Sequence, residues 1–270
     1  MKIAFIGGGN MAAALIGGLV ARDVAPSSFV VVEPAALQRE TLRERFGVVA
    51  LPSADAGALQ GTELCVLAVK PQQMRAAIEG LGPVLAGALV VSIAAGIRSR
   101  DVSRWLGGHR RIVRAMPNTP ALIGRGVTGL FPVEGLAEVD RDLAARTLSA
   151  VGEVVWVDAE PALDAVTAVS GSGPAYVFLL MEAMQHAART LGLDERQARS
   201  LVLNTFAGAS ELALRSDEPV ALLRERVTSK GGTTAAALEV FQASPLREIF
   251  VDALHAAQQR GAELGEEFGK

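Results

Sequence analysis

The chain has 270 residues, with 26 Lys+Arg against 29 Asp+Glu, a formal net charge of −3 and a pI of about 5.7. Half of the residues are apolar and a fifth are charged, a globular composition that excludes wholesale disorder and suffices for one large domain or two smaller ones. The mild acidity removes any general electrostatic case for nucleic acid or an anionic membrane as partner.

From Ile3 to Ala21 no residue is charged, which by length alone suits a signal peptide or a short membrane span. Gly7-Gly8-Gly9-Asn10 and then Gly17-Gly18 interrupt the run, and glycine is a poor helix former. A strand (Ile3–Ile6), a tight turn and a helix (Met11–Ala21) are expected instead, and no later window is long enough to span a bilayer. The turn reads G-x-G-x-x-A through Gly7, Gly8, Gly9, Asn10, Met11 and Ala12, which is the dinucleotide fingerprint. Its first glycine permits the turn, its second lets a pyrophosphate approach the backbone, and the small last residue packs helix on strand. The helix start then offers free N–H groups and a positive dipole end to phosphate.

A second strand, Val30–Val32, ends at Glu33. An acid there accepts hydrogen bonds from a ribose 2′-hydroxyl and repels a 2′-phosphate, which favours NAD(H) over NADP(H); Arg39 offers partial compensation. A helix over Leu37–Phe46 follows, then strands at Leu64–Val69, Leu89–Ile93 and Ile112–Ala115, with helices at Gln72–Leu85 and Arg100–Leu106 between them. Strands apolar on both faces alternating with helices imply a parallel sheet covered on both sides. The lone cysteine, Cys65, lies in the apolar run Leu64-Cys65-Val66-Leu67, so a reduced, buried thiol in a cytoplasmic protein is expected. Met116-Pro117-Asn118-Thr119-Pro120 follows a strand at the end where open α/β sheets bind ligands. Val127–Phe131 and Glu153–Val157 add edge strands around a helix within Ala137–Val151.

Beyond Val157 the pattern is helical: Pro161–Leu191, Asp194–Arg215, Pro219–Val227, Thr233–Phe241 and Pro245–Glu267. Asp194 suits an N-cap, and Gly192 a helix end. Ser170-Gly171-Ser172-Gly173-Pro174 and Thr228-Ser229-Lys230-Gly231-Gly232-Thr233-Thr234 are small-residue helix starts, each open to two readings, an anion site or a close helix crossing. His109, His186 and His255 are scattered and read as structural or surface residues; no Cys/His cluster has metal-ligand spacing, so no metal is expected.

Together these motifs resemble the pyrroline-5-carboxylate reductase family. The residues that carry the likeness are Ile6–Met11, Ala68-Val69-Lys70-Pro71-Gln72, Arg114–Pro120, Ser170–Tyr176 and Val227–Thr234, in this order along nearly the whole chain. The resemblance implies an α/β chain with an N-terminal Rossmann-type parallel-sheet domain (1–158) and an all-helical substrate-binding and dimerisation domain (159–270). It implies NAD(P)H-dependent reduction of the cyclic imine 1-pyrroline-5-carboxylate to L-proline. The subunit would be a homodimer, with rings of dimers as a larger form.

It also implies roles. Val69, Lys70, Pro71, Ala94 and Ala95 line the cofactor, with Pro117 and Asn118 near the nicotinamide. Ser229, Gly232 and Thr233 hold the substrate carboxylate, Thr234 contacts the ring nitrogen as the catalytic hydroxyl, and Glu160 lies near the substrate. Three residues depart from the family habit: Lys230 in place of proline, Asp55 in place of asparagine beside the adenosine, and the acidic Glu33. A β-hydroxyacid-type dehydrogenase shares the layout but uses a lysine on the helix after the glycine-rich loop, and Tyr176–Leu191 contains none.

Overall fold

The computed structural model describes all residues, Met1–Lys270. Eight strands form one sheet: β1 (Ile3–Ile6), β2 (Phe29–Val32), β3 (Val49–Leu51), β4 (Leu64–Leu67), β5 (Leu89–Ser92), β6 (Ile112–Met116), β7 (Gly126–Pro132) and β8 (Gly152–Trp156). Their order is β3-β2-β1-β4-β5-β6-β7-β8, and every pair is parallel except β6–β7. The first six strands have the doubly wound dinucleotide-binding order, in which the chain reverses direction across the sheet between β1 and β4. Two findings differ from the sequence reading. β3 was not expected, and β7 enters antiparallel because the short link after β6 leaves no length for a crossover helix.

Alternation along the strands builds two cores. Ile3 and Phe5 of β1 face one cluster with Leu15, Phe29, Val31 and Val66; Ala4 and Ile6 face the other with Cys65, Leu67, Met74 and Trp105. Helices α1 (Asn10–Val20), α2 (Ala36–Phe46), α3 (Ala56–Leu59), α4 (Pro71–Ile78), α5 (Gly82–Leu85), α6 (Ser99–Trp105) and α7 (Glu138–Leu148) connect the strands. The single helix expected over Gln72–Leu85 is two, α4 and α5, because Gly80 takes φ +88 between them. Burial pushes the Cys65 thiol up to about 12.

α8 (Ala162–Val166) runs through a π turn at Thr167–Gly171 into α9 (Gly173–Thr190), followed by α10 (Glu195–Leu214), α11 (Val220–Arg226), α12 (Thr233–Gln242) and α13 (Leu246–Phe268). Asp194 caps α10 in a full capping box with Gln197. Packing separates a unit of Met1–Ser172 with His255–Lys270 from a unit of Gly173–Leu254. That division falls at Ser172 where the sequence reading put 158/159, and it returns the end of α13 to the first unit. The run Ala162–Thr190 has the length and apolarity to cross a bilayer, counter to the expectation that no later window would. A π turn at Thr167–Gly171 lies within it. In the second unit large apolar side chains stand in the open, Phe178 and Leu179 at 63% and 64% exposure among them.

Candidate functional site

The glycine turn meets the neighbouring strand end at the reversal between β1 and β4. Gly7 takes φ +100, its N–H donates to the Val32 carbonyl, and a Cβ there would lie 2.6 Å from the Ala68 carbonyl oxygen. Only glycine satisfies both conditions. Gly9 caps α1 without a side-chain bond, and a Cβ on it would meet nothing within 4 Å. Open space thus faces the first turn of α1, where Asn10 and Met11 begin the helix and helix geometry leaves N–H groups unpaired. A pyrophosphate fits such a cradle, so the residues present suit a dinucleotide.

The other cofactor residues named from sequence stand at the carboxyl ends of neighbouring strands. Val69 and the exposed Lys70 follow β4, with Pro71 in the first turn of α4. Ala94 and Ala95 follow β5, and the buried Pro117 and Asn118 follow β6. Asn118 is itself a tie: its amide donates to the Ser170 carbonyl at 3.2 Å and its oxygen accepts from the Val127 N–H at 2.9 Å. Asp55 is the N-cap of α3, accepting from the Ala58 N–H at 2.7 Å.

Glu33 points into the glycine turn. Its Oε2 accepts from the Gly8 N–H at 2.9 Å and its Oε1 from the Ala35 N–H at 2.8 Å. Gln38, which sequence reasoning missed, donates to the Gly8 carbonyl at 2.7 Å, so the N–H and the carbonyl of Gly8 are both held by side chains. Arg39 is drawn into the turn, one guanidinium nitrogen donating to the carbonyls of Glu33 (2.9 Å) and Pro34 (2.6 Å).

A buried charge group lies beneath the β5 and β6 ends. Glu160 Oε1 accepts from the Ser99 N–H at 2.6 Å and from Arg114 at 3.0 Å, while Arg98 pairs with Asp164 at 2.6 Å. Burial pulls the Arg114 guanidinium below its ordinary pKa, against the opposing pull of Glu160. Arg98 and Asp164 carried no sequence signal, since isolated charges read as surface. In the second unit, Ser229, Gly231 (φ +72) and Gly232 lead into α12, whose N-cap Gly232 has no side-chain bond. The Gly232 N–H donates to the Ser229 carbonyl at 3.1 Å; Thr233 is exposed and Thr234 half-buried in the first turn.

Comparison with known proteins agrees with this geometry. Residues 160–264 match the family described as pyrroline-5-carboxylate reductase dimerisation, and residues 2–96 match NADP oxidoreductase, coenzyme F420-dependent. A pyrroline-5-carboxylate reductase of Pseudomonas aeruginosa is 47% identical over 270 residues, covering 100% of this chain and 98% of the relative. The chain belongs to the pyrroline-5-carboxylate reductase family. It is therefore an NAD(P)H-dependent oxidoreductase with a helical dimerisation domain. The solved structure of such a reductase from Coxiella burnetii superposes with a TM-score of 0.92 at 41% identity, covering 97% of this chain and 98% of that one. A Plasmodium falciparum pyrroline carboxylate reductase with NADP bound gives 0.85 at 27% identity, covering 98% of each chain.

Proposed function

We propose that this chain reduces 1-pyrroline-5-carboxylate to L-proline, as a homodimer in the cytoplasm. The observation that carries the reading is the full-length identity to the Pseudomonas aeruginosa reductase, with the glycine cradle intact at the β1–β4 reversal.

Bound NAD(P)H supplies the hydride to the imine carbon. A protonated imine is already electrophilic, so the protein's task is positioning more than acid catalysis. Gly9, Asn10 and Met11 receive the pyrophosphate on the start of α1, and Val69, Lys70, Pro71, Ala94, Ala95, Pro117 and Asn118 set the dinucleotide's course along the strand ends. The free N–H groups at the start of α12, with Ser229, Gly232 and Thr233, grip the substrate carboxylate. The Thr234 hydroxyl orients the ring nitrogen and relays a proton to it, taking one from solvent as it gives its own. Glu160 acts near the substrate by holding Arg114 and the start of α6 in place.

Glu33 supports a finer reading, a preference for NADH. Its carboxylate stands at the end of β2, and the residues after it, Pro34-Ala35-Ala36, bring no side-chain donor for a 2′-phosphate. The next cation along the chain, Arg39, is already bonded to two backbone carbonyls.

The test is a steady-state assay of purified chain with 1-pyrroline-5-carboxylate and NADH or NADPH, following oxidation of the nicotinamide and formation of proline. Protein that binds NAD(P)H and never oxidises it with this imine overturns the reading.

A further inference from the structure

We infer that the C-terminal end of α13 is a brace for the loop Ile93–Arg98, and that Gly265 is a positioning residue for the dinucleotide. The inference rests on the reading that Ala94 and Ala95 line the cofactor.

The loop leaves β5 at Ser92 and must turn into α6 within a few residues. It turns at Gly96, which is buried and takes φ +79, a conformation that L side chains rarely adopt. Ala94, Ala95 and Gly96 have almost no side chain, so the loop offers a ligand little but the position of its backbone. That position is set from outside. A Cβ on Gly96 would lie 2.9 Å from the Gly265 nitrogen and 3.2 Å from the Gly261 carbonyl oxygen. A Cβ on Gly265 would lie 2.6 Å from the Gly96 carbonyl oxygen. Backbone therefore rests on backbone.

Gly261 and Gly265, four apart, lie on one face of α13 and are its buried residues. Glycine within a helix is unfavourable relative to alanine, so the pair needs a compensating contact, and the loop is that contact. The charged neighbours fasten the same junction. Arg98, at the end of the loop, pairs with Asp164 at 2.6 Å and lies beside Gly265. Arg100 meets Glu266 at 3.1 Å, Arg104 donates to the Gly269 carbonyl, and Phe268 packs on the core cluster that includes Trp105.

Mere packing and a positioning role separate in one measurement. A packing role lowers stability and leaves the affinity of the folded protein alone, whereas a positioning role moves affinity. The full-length chain is titrated with NADH and NADPH by nicotinamide fluorescence, and hydrogen exchange is followed at residues 93–98. In the wild type, cofactor should protect those residues from exchange. Gly265→Ala should raise Kd about ten-fold, because its Cβ must displace the Gly96 carbonyl. Gly261→Ala, whose Cβ would meet only the Asp164 Cβ at 3.9 Å, should stay within about two-fold. If Gly265→Ala does not fold, Arg104→Ala stands in, with Kd expected to rise about three-fold. A folded Gly265→Ala, or Arg104→Ala in its stead, with wild-type Kd overturns the brace. A wild-type chain that binds cofactor without protecting residues 93–98 overturns the reading of the loop, and the brace with it.

Discussion

Thr234 stands in the first turn of α12, half-buried, beside N–H groups that no side chain caps. Its hydroxyl is the one group assigned to the imine nitrogen, so Thr234→Ala should lower kcat about ten- to a hundred-fold while Kd for NAD(P)H stays unchanged. Wild-type kcat in that variant removes the proton-relay role. Glu33→Ser deletes a carboxylate that would face a 2′-phosphate. The ratio of kcat/KM for NADPH to that for NADH should rise about ten- to a hundred-fold, and a change under about two-fold would make Glu33 only a tie for the Gly8 N–H. Arg39→Ala should weaken both cofactors alike, since this guanidinium holds the turn's carbonyls. His109 is buried with its ring nitrogen 3.1 Å from the Ala88 carbonyl, and desolvation lowers its pKa below 6.5. Below pH 6.5 the unfolded chain binds a proton that the folded chain refuses, so stability falls as pH drops from there toward the folded value. Above 6.5 the contribution is flat. Urea midpoints across that range should show a shallower acid slope in His109→Gln than in wild type.

At the scale of elements, the sheet was largely legible. Runs such as Leu64–Leu67 and Leu89–Ser92 are apolar on both faces, which marks a central parallel strand. β3 was not legible, because it is three residues long and its first, Val49, is exposed. Nor was the direction of β7, since alternation carries no arrow. In the site, the glycine turn and the two small-residue helix starts were readable from composition. Gln38 and the Arg98–Asp164 and Arg114–Glu160 pairs were not, because their roles depend on partners far apart in the chain. Gly261 and Gly265 are legible in the sequence too: two glycines in an otherwise helical run mark a close backbone approach. The cap of α10 was readable and can be measured. Asp194→Ala removes the side-chain bond to the Gln197 N–H and should cost about 1 kcal/mol, seen as a lower urea midpoint at unchanged m value.

For the whole molecule, the second unit leaves Phe178, Leu179, Leu201, Leu212 and Phe250 at least partly in the open. Large apolar side chains left open in this number mark an interface, and the family match over residues 160–264 names the region one of dimerisation. Sedimentation at micromolar concentration should give twice the 28.1 kDa chain or an even multiple of it. Phe178→Asp with Leu179→Asp should shift it toward monomer. A stable monomer in the wild type would contradict the assignment of that surface.

Cys65 gives this molecule a built-in clock. It is the chain's one thiol, fully buried on a central strand, and burial holds it protonated at neutral pH. A thiol reagent needs the thiolate, so labelling has to wait until β4 is torn from β1 and β5. The labelling rate of the untouched protein therefore reads out the opening of the sheet itself, with no engineered probe. Saturating NAD(P)H should slow that rate in proportion to cofactor occupancy, since ligand bound only to the folded form subtracts from the open population.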